Sequence, residues 1–376
     1  MKVPFQDLSV QYFELKKEID TAIKEASESG WYILGKRCER FEREFKAYLT
    51  GEEEGYVVGC NSGTDALVLA LRAAGIGPGD EVITVANTAI PTITAICSIG
   101  AVPVFCEIAQ DTWLMDPDHI LPLISSKTKA ILPVHLYGNV AQMSEIRRIA
   151  EEHGLKVIED VAQACGARWE GKQAGTVGDF GAFSFYPSKN LGAMGDGGAV
   201  LCRSRNDYET LVMLRNYGQK DRYNANLAMG INSRLDEIQA AVLSVKLGHV
   251  DKWNRQKGAV VDKYRGLLQE SKAAFQLQGI YESAEPAWHL MVVRLAAGTG
   301  LTRKDFIGFM ADKGIQVLIH YPYPAYRQAA FKKYFRDELP VTNAHCETVV
   351  SLPLGHYLRD KEIKEVCLSV TGGFSR

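Results

Sequence analysis

Apolar positions along this chain follow two spacings, and the switch between them outlines its architecture. Residues 12–28 carry apolar side chains at helical intervals up to a stop near Gly30, and Phe41, Phe45 and Leu49 repeat the pattern over 38–49. From residue 56 short apolar runs alternate with helical segments: 56–60 then 64–74, 81–86 then 89–99, 102–106, 129–134 then 142–153, and 156–160. Turn signals such as Gly75-Ile76-Gly77-Pro78-Gly79-Asp80 separate them. Alternation of this kind predicts an α/β fold, a mostly parallel sheet covered by helices on both faces. Runs at about 181–186 and 198–202 extend that sheet. A helical pattern over 235–270 places Leu235, Ile238, Ala241, Val242, Val245 and Val250 on one face. Beyond it, short strands at 288–295 and 315–319 mix with helices at 302–313, 343–350 and 360–368. The expected organisation is a large domain over 1–245, N-terminal helices included, and a smaller α+β domain over 246–376.

Composition narrows the class. With 376 residues, 46% of them apolar, the chain is long enough for two packed cores. A formal charge of -2 and the lack of a basic tract argue against nucleic acid. No apolar run approaches the roughly 20 residues that cross a bilayer, and the N-terminal stretch is charged without an apolar signal core. The eight cysteines are scattered, with no Cys-x-x-Cys pair, which suits a reduced, cytoplasmic protein.

Candidate chemistry lies in four segments. Asn61-Ser62-Gly63-Thr64-Asp65-Ala66-Leu67 follows an apolar strand and opens a helix. Free amides at a helix start carry roughly half a positive charge, so this run suits a phosphate group; the same letters suit an ordinary N-cap. Neither nucleotide-binding glycine fingerprint is present. The strand 156–160 delivers Asp160 at its carboxyl end, where open α/β sheets bind ligands. That carboxylate suits a protonated ring nitrogen or the cap of a following helix. Gln163 lies just beyond it, and Glu159 is expected on the opposite face. In the third segment Ser184 alternates with Phe183 and Phe185, ahead of the turn Tyr186-Pro187-Ser188-Lys189-Asn190 and a glycine-rich stretch. An amine on such a turn forms a Schiff base when its surroundings keep part of it unprotonated. Ser184 suits a phosphate contact or a satisfied core hydroxyl, and Tyr186 a substrate contact or packing. The fourth, Gly230 to Gln239, reads as a capped helix start with Ser233 followed by Asp236 and Glu237; its polar side chains, Asn232 among them, also suit phosphate.

With these segments in order, the chain resembles the DegT/DnrJ/EryC1/StrS aminotransferase family, also called sugar aminotransferases, over nearly its whole length. The runs NSGTDAL, EDVAQA, FSFYPSKNLGAMGDGGAV and NSRLDEIQAA carry the resemblance. It implies a fold-type I pyridoxal 5'-phosphate enzyme, with a seven-stranded, mostly parallel sheet in its large domain, and usually a homodimer. By the family pattern Lys189 is the internal aldimine lysine, Asp160 pairs with the pyridine nitrogen and Gln163 lies by the ring. Gly63, Thr64 and Ser184 hold the phosphate, and Asn232 reaches it from the neighbouring subunit, so that active sites are shared. One departure concerns the cofactor ring. Many members stack an aromatic residue on it, and Ala89 stands at that position here, which shifts the expected affinity toward the phosphate contacts. Another branch of the family replaces the lysine with histidine and acts as a dehydratase; Lys189 argues against that branch.

The runs Phe185 to Asn190 and Leu318-Ile319-His320-Tyr321-Pro322-Tyr323-Pro324 resemble members that aminate C3 of a nucleotide-linked keto-sugar. The implied reaction carries an amino group from L-glutamate, through the pyridoxamine 5'-phosphate form, to a dTDP-3-keto-6-deoxyhexose, and releases 2-oxoglutarate. Tyr186, Arg222, Tyr223 and His320 are its candidate substrate contacts. In close relatives this motif ends in histidine, where Tyr326 stands here. Three alternatives stay open: amination at C4 of a nucleotide-linked 4-keto-sugar, amination of a cyclitol ketone, and a regulator that binds cofactor or sugar nucleotide without turnover.

Overall fold

Seven strands of four or five residues make the central sheet: β1 (Tyr56–Cys60), β2 (Glu81–Val85), β3 (Val102–Cys106), β4 (Thr128–Ile131), β5 (Lys156–Asp160), β6 (Phe180–Ser184) and β7 (Gly198–Cys202). The structure, a computed structural model, describes residues 2–51, 53–270, 275–296 and 302–372. Nearly every residue of these strands is buried, because helices cover both faces. That double burial is why the strands read as unbroken apolar runs. The sheet order is β1-β7-β6-β5-β4-β2-β3. β2 to β6 pair in parallel, and β7 runs antiparallel to both β6 and β1. β1 therefore points the same way as the parallel strands. The carboxyl ends of β1, β2, β5 and β6 all open at one edge, which receives the loops carrying Gly63, Ala89, Asp160 and Lys189.

The helical pattern departs from expectation at its joints. The run expected over 12–28 is two helices, α1 (Ser9–Glu14) and α2 (Lys16–Glu28), followed by α3 (Lys36–Thr50). The run expected over 235–270 is also two, α8 (Glu237–Leu247) and α9 (Val250–Glu270), parted at Gly248, a poor helix former. The expected capping box at Ser233 does not form. Asp236 is the N-cap of α8 without a side-chain bond, while the Ser233 hydroxyl accepts from Asn61 N at 3.2 Å. The Glu237 carboxylate caps a different helix: it accepts from the amides of Gly35 (2.8 Å), Arg37 (3.0 Å) and Cys38 (2.9 Å) at the start of α3. Between them lie α4 (Gly63–Ala73), α5 (Ile90–Ser98), α6 (Met143–His153) and an unanticipated α7 (Arg205–Leu214). A small hairpin, β8 (Gln219–Asp221) and β9 (Asn224–Ala225), follows α7.

The C-terminal part has its own antiparallel sheet, β10 (Phe275–Leu277), β11 (Met291–Leu295) and β12 (Val349–Leu352), in the order β10-β11-β12. α10 (Arg303–Asp312), α11 (Pro340–Thr348) and α12 (Asp360–Gly372) accompany it. The helix expected over 343–350 ends at Thr348, and the buried β-branched pair Val349 and Val350 starts a strand instead. The strand expected over 315–319 reduces to isolated bridges, Ile315 with Val3 and Leu318 with Ser351. Val261, Tyr264, Val293, Phe306, Val350 and Val366 form an apolar cluster separate from the one around the large sheet, and Val3 reaches across to join it. No described helix is long and apolar enough to cross a membrane.

Candidate active site

The loop after β1 and the loop after β6 meet at the carboxyl edge of the sheet. Ser62 is the N-cap of α4, and its hydroxyl accepts from Asp65 N at 3.2 Å. The amides of Gly63 and Thr64 have no acceptor among the described residues, the usual state of a helix start that awaits an anion. Gly63 lies directly against Ser184: a Cβ added to it would fall 2.5 Å from the Ser184 Cβ and 2.9 Å from its Oγ. Only glycine allows that approach. Two candidate phosphate contacts, from strands far apart in sequence, are thus side by side.

Asp160 ends β5 on the same edge and is 4% exposed. Its Oδ2 accepts from Thr92 Oγ1 at 2.8 Å, its Oδ1 from Ala162 N at 3.1 Å, and Thr88 Oγ1 lies 2.9 Å from Thr92 Oγ1. Burial raises its pKa, and the Thr92 hydroxyl is the strongest of the groups that hold it down. Glu159 faces the other side, as strand alternation requires, and accepts from the amides of Gly175, Val177 and Gly178. Lys189 is half-buried on a turn closed by its own N–H to Tyr186 O at 2.8 Å. Burial lowers its amine to about 8, and the charge of Asp160 opposes that shift. The two groups sense each other's charge without forming a salt bridge. Unsatisfied amides beside a glycine cradle, a buried carboxylate and a buried amine together fit the phosphate, the ring nitrogen and the aldehyde of pyridoxal phosphate.

Other candidates are placed differently from one another. Gln163 is spent on the protein: its Oε1 accepts from Tyr137 N at 2.7 Å and its Nε2 donates to Tyr321 Oη at 2.9 Å. Ala89 is the half-buried N-cap of α5. His320 is half-buried, stacks on Phe5 at 5.7 Å between ring centroids, and pairs through Nδ1 with Ser351 Oγ at 2.9 Å. Burial lowers its pKa to about 4, and Lys189 acts in the same direction. Tyr186 is 55% exposed. Arg222 and Tyr223 form the exposed turn of the β8–β9 hairpin, with the guanidinium 5.1 Å from the Tyr223 ring centroid. Asn232 is exposed and bridges to Asn216. Tyr326 is structural: it is buried against Phe105 and donates to Asn343 Oδ1 at 2.8 Å.

Sequence reasoning passed over Thr92, Tyr137, His289 and Tyr321. The Tyr137 amide holds Gln163, its carbonyl accepts from His289 N at 2.9 Å, and its hydroxyl donates to the His320 carbonyl. The one local cue is Gly138, whose Cβ would fall 2.2 Å from Ala287 O where the two chain segments cross. A cleft of about 560 Å³ on another part of the surface, lined by Glu39, Arg43, Lys46 and Tyr208, contains none of these residues.

The DegT/DnrJ/EryC1/StrS aminotransferase family matches residues 14–371. The chain belongs to that family. It is therefore a pyridoxal-phosphate-dependent aminotransferase of α/β fold, as the resemblance implied. It is 43% identical over 359 residues to the dTDP-3-amino-3,4,6-trideoxy-alpha-D-glucose transaminase of Streptomyces venezuelae, covering 95% of this chain and 92% of the relative. It is 42% identical over 375 residues to the erythromycin biosynthesis sensory transduction protein EryC1 of Saccharopolyspora erythraea, covering 99% of this chain and 100% of the relative. The crystal structure of S. venezuelae DesV in complex with a ketimine intermediate has a TM-score of 0.94 at 42% identity, covering 100% of this chain and 99% of that one.

Proposed function

We propose that this aminotransferase moves an amino group from L-glutamate to C3 of a nucleotide-linked keto-sugar, a dTDP-3-keto-6-deoxyhexose. The observation that carries the chemistry is the half-buried Lys189 within the field of the buried Asp160, beside the Gly63–Ser184 cradle. The sugar assignment draws on the identity to the S. venezuelae transaminase and on the His320-Tyr321-Pro322 run beside the site.

In this reading the amides of Gly63 and Thr64, with Ser184, hold the cofactor phosphate, and Asp160 holds the ring nitrogen. When bound, pyridoxal phosphate withdraws electrons from the carbon that loses its proton. Lys189 Nζ takes that proton from the α-carbon of the donor and delivers it at the next atom of the transfer, as base and then as acid. An amine lowered to about 8 serves both duties near neutral pH. The Thr92 hydroxyl favours the charged form of Asp160 against burial, and a charged Asp160 keeps the ring nitrogen protonated. Gln163 acts through Tyr321 and Tyr137, and Ala89 adds only a methyl, so affinity rests on the phosphate contacts and Asp160.

The same reading makes the protein a homodimer. Trp31, Tyr32, Met194, Tyr217, Tyr223 and Met229 are between 47% and 83% exposed, large apolar side chains of the kind a partner subunit covers. Asn232, Arg222 and Tyr223, exposed in one protomer, then serve the neighbouring site. The division near residue 245 belongs here too, supported by the two separate apolar clusters. So does a reducing, cytoplasmic setting: all eight cysteines are free. A second reading, a regulator without turnover, draws on the similarity to the S. erythraea sensory transduction protein; a lysine placed for proton transfer weighs against it.

The test is a half-reaction followed by a product assay. Purified protein loaded with pyridoxal phosphate should lose its visible band when glutamate is added. A panel of keto-sugar nucleotides should then yield a C3 amine by NMR. A cofactor band indifferent to glutamate favours the regulator, and a C4 amine overturns the regiochemistry.

A further inference from the structure

We infer that the Tyr137 hydroxyl is a positioning group for the sugar: it holds the His320–Tyr321 segment against the site, where Tyr321 Oη donates a hydrogen bond to a hydroxyl or keto oxygen of the sugar. This rests on the aminotransferase reading above and says which of the two substrates the segment meets.

The run from His320 to Ala325 lies along the carboxyl edge of the large sheet and bonds there to three loops. Ala325 N donates to Ala86 O, just after β2, at 2.9 Å. The Tyr137 hydroxyl, in the loop after β4, donates to the His320 carbonyl. Gln163 Nε2, in the loop after β5, donates to Tyr321 Oη at 2.9 Å. Two of these loops also carry Ala89 and follow Asp160. The charge of Asp160 acts on Tyr321, and that of Lys189 on His320. On its other side the run is held by the C-terminal part. Leu318 pairs with Ser351 of β12, and His320 Nδ1 lies 2.9 Å from Ser351 Oγ.

The tie at Tyr137 is rigid. Tyr137 is fully buried, with a φ of 67°, a left-handed conformation that a tyrosine keeps only where its neighbours enforce it. Its amide donates to Gln163 Oε1 at 2.7 Å, and its carbonyl accepts from His289 N at 2.9 Å. Its one hydroxyl proton goes to the His320 carbonyl. His345 Nε2, 3.0 Å from the same oxygen, must therefore carry a proton and donate it there. Gln163 is fixed in the same way. Its Oε1 accepts from an N–H, so its amide cannot flip, and its Nε2 is the donor to Tyr321. Tyr321 Oη accepts that bond, and its own proton has no acceptor among the described residues. A ligand oxygen completes the chain.

Charge decides which ligand. Burial raises Tyr321 to about 12 and lowers His320 to about 4, so both are neutral at pH 7. The segment offers hydrogen bonds without a cation. The uncharged oxygens of a sugar match such groups, whereas the carboxylates of the amino donor are best held by charged ones.

Calorimetry on the holoenzyme with dTDP-glucose, and with dTDP as the reference that lacks a sugar, reads the contact. Tyr137→Phe keeps the amide that holds Gln163 and removes only the hydroxyl. Tyr137→Phe and Tyr321→Phe should each bind dTDP-glucose about 3- to 10-fold more weakly, the worth of a neutral hydrogen bond. The double variant should lose no more than the weaker-binding single one, because the two hydroxyls act as a unit. Affinity for dTDP and the rate at which glutamate removes the cofactor band should match the parent throughout. A loss shared by dTDP or by the glutamate step marks a structural role and overturns the proposal. Additive losses, or unchanged affinity for dTDP-glucose, overturn it too. Should Tyr137→Phe not fold, Tyr321→Phe decides alone by the same comparison. Failure of the aminotransferase reading looks different: the parent holoenzyme itself would leave its cofactor band unmoved by glutamate.

Discussion

One end of the cleft is made of backbone and the other of buried side chains. At the phosphate end the work falls to the Gly63 and Thr64 amides at the start of α4 and to the close approach of Ser184. These groups do not titrate, and their placement follows from where β1 and β6 end. At the amine end Asp160, Lys189 and His289 come from β5 and two loops, and burial shifts every one of them. One site thus holds a fixed anion by geometry and moves protons by desolvation. The first function should be insensitive to pH and sensitive to sterics, and the second the reverse.

The largest expected effect is at the amine. Lys189→Ala should lose at least about 10²- to 10⁴-fold in the glutamate half-reaction, the worth of a positioned acid–base group. It should also fail to form a borohydride-stable adduct at position 189, and full transamination by this variant would refute the role. Next comes the acid. Asp160→Ala should cost roughly 10- to 100-fold in the same half-reaction, the loss of a charge-assisted hydrogen bond. Gln163→Ala should cost less, because both ends of Gln163 are already engaged by Tyr137 and Tyr321. Equal small losses would count against pairing of Asp160 with the ring nitrogen. Gly63→Ala probes the other end. Its Cβ would fall 2.5 Å from that of Ser184, and overpacking of this kind costs about 1–3 kcal/mol. The expected result is weaker cofactor binding by equilibrium dialysis with no change in the pH profile. A shifted profile would dissolve the distinction between the two ends.

The same contrast governs how much of the molecule is legible in its sequence. Strands buried on both faces are continuous apolar runs, so the large sheet stands out from its letters. Lys189, Ser184, Asp160 and Gly63 each sit at a strand end or a turn, where a few neighbouring residues suffice to place them. Thr92 is different: its meaning lies in a hydroxyl 68 positions from the carboxylate it serves. Gln163 finds Tyr321 across 158 positions, and Glu237 caps a helix start 202 positions earlier at Gly35. Local spacing assigns such residues to the nearest plausible partner, which is how Glu237 reads as a cap for its own helix. The end of α11 fails for another reason. Val349 and Val350 suit a helix face and a buried strand equally until their β11 neighbours are known.

Thr92→Val should give the smallest effect and the most specific one. The Thr92 hydroxyl donates to Asp160 Oδ2 at 2.8 Å and is the strongest of the groups that oppose the upward push of burial on that carboxyl. Valine keeps the shape and removes the donor, leaving Ala162 N as the hydrogen bond to Asp160 among the described residues. The pKa of Asp160 in the folded protein then rises further. A carboxyl is charged only above its pKa, so the pH range over which Asp160 can hold a protonated ring nitrogen shrinks from the acid side. A net hydrogen bond is worth about 1 kcal/mol, and one pH unit corresponds to about 1.4 kcal/mol. The acid limb of kcat/KM for glutamate should therefore move up by less than about one unit. The plateau at higher pH should stay where it was, because Lys189 and the phosphate end are untouched. A uniform loss across all pH values would mean that Thr92 matters for packing alone, and that the ionisation of Asp160 does not limit the rate on the acid side.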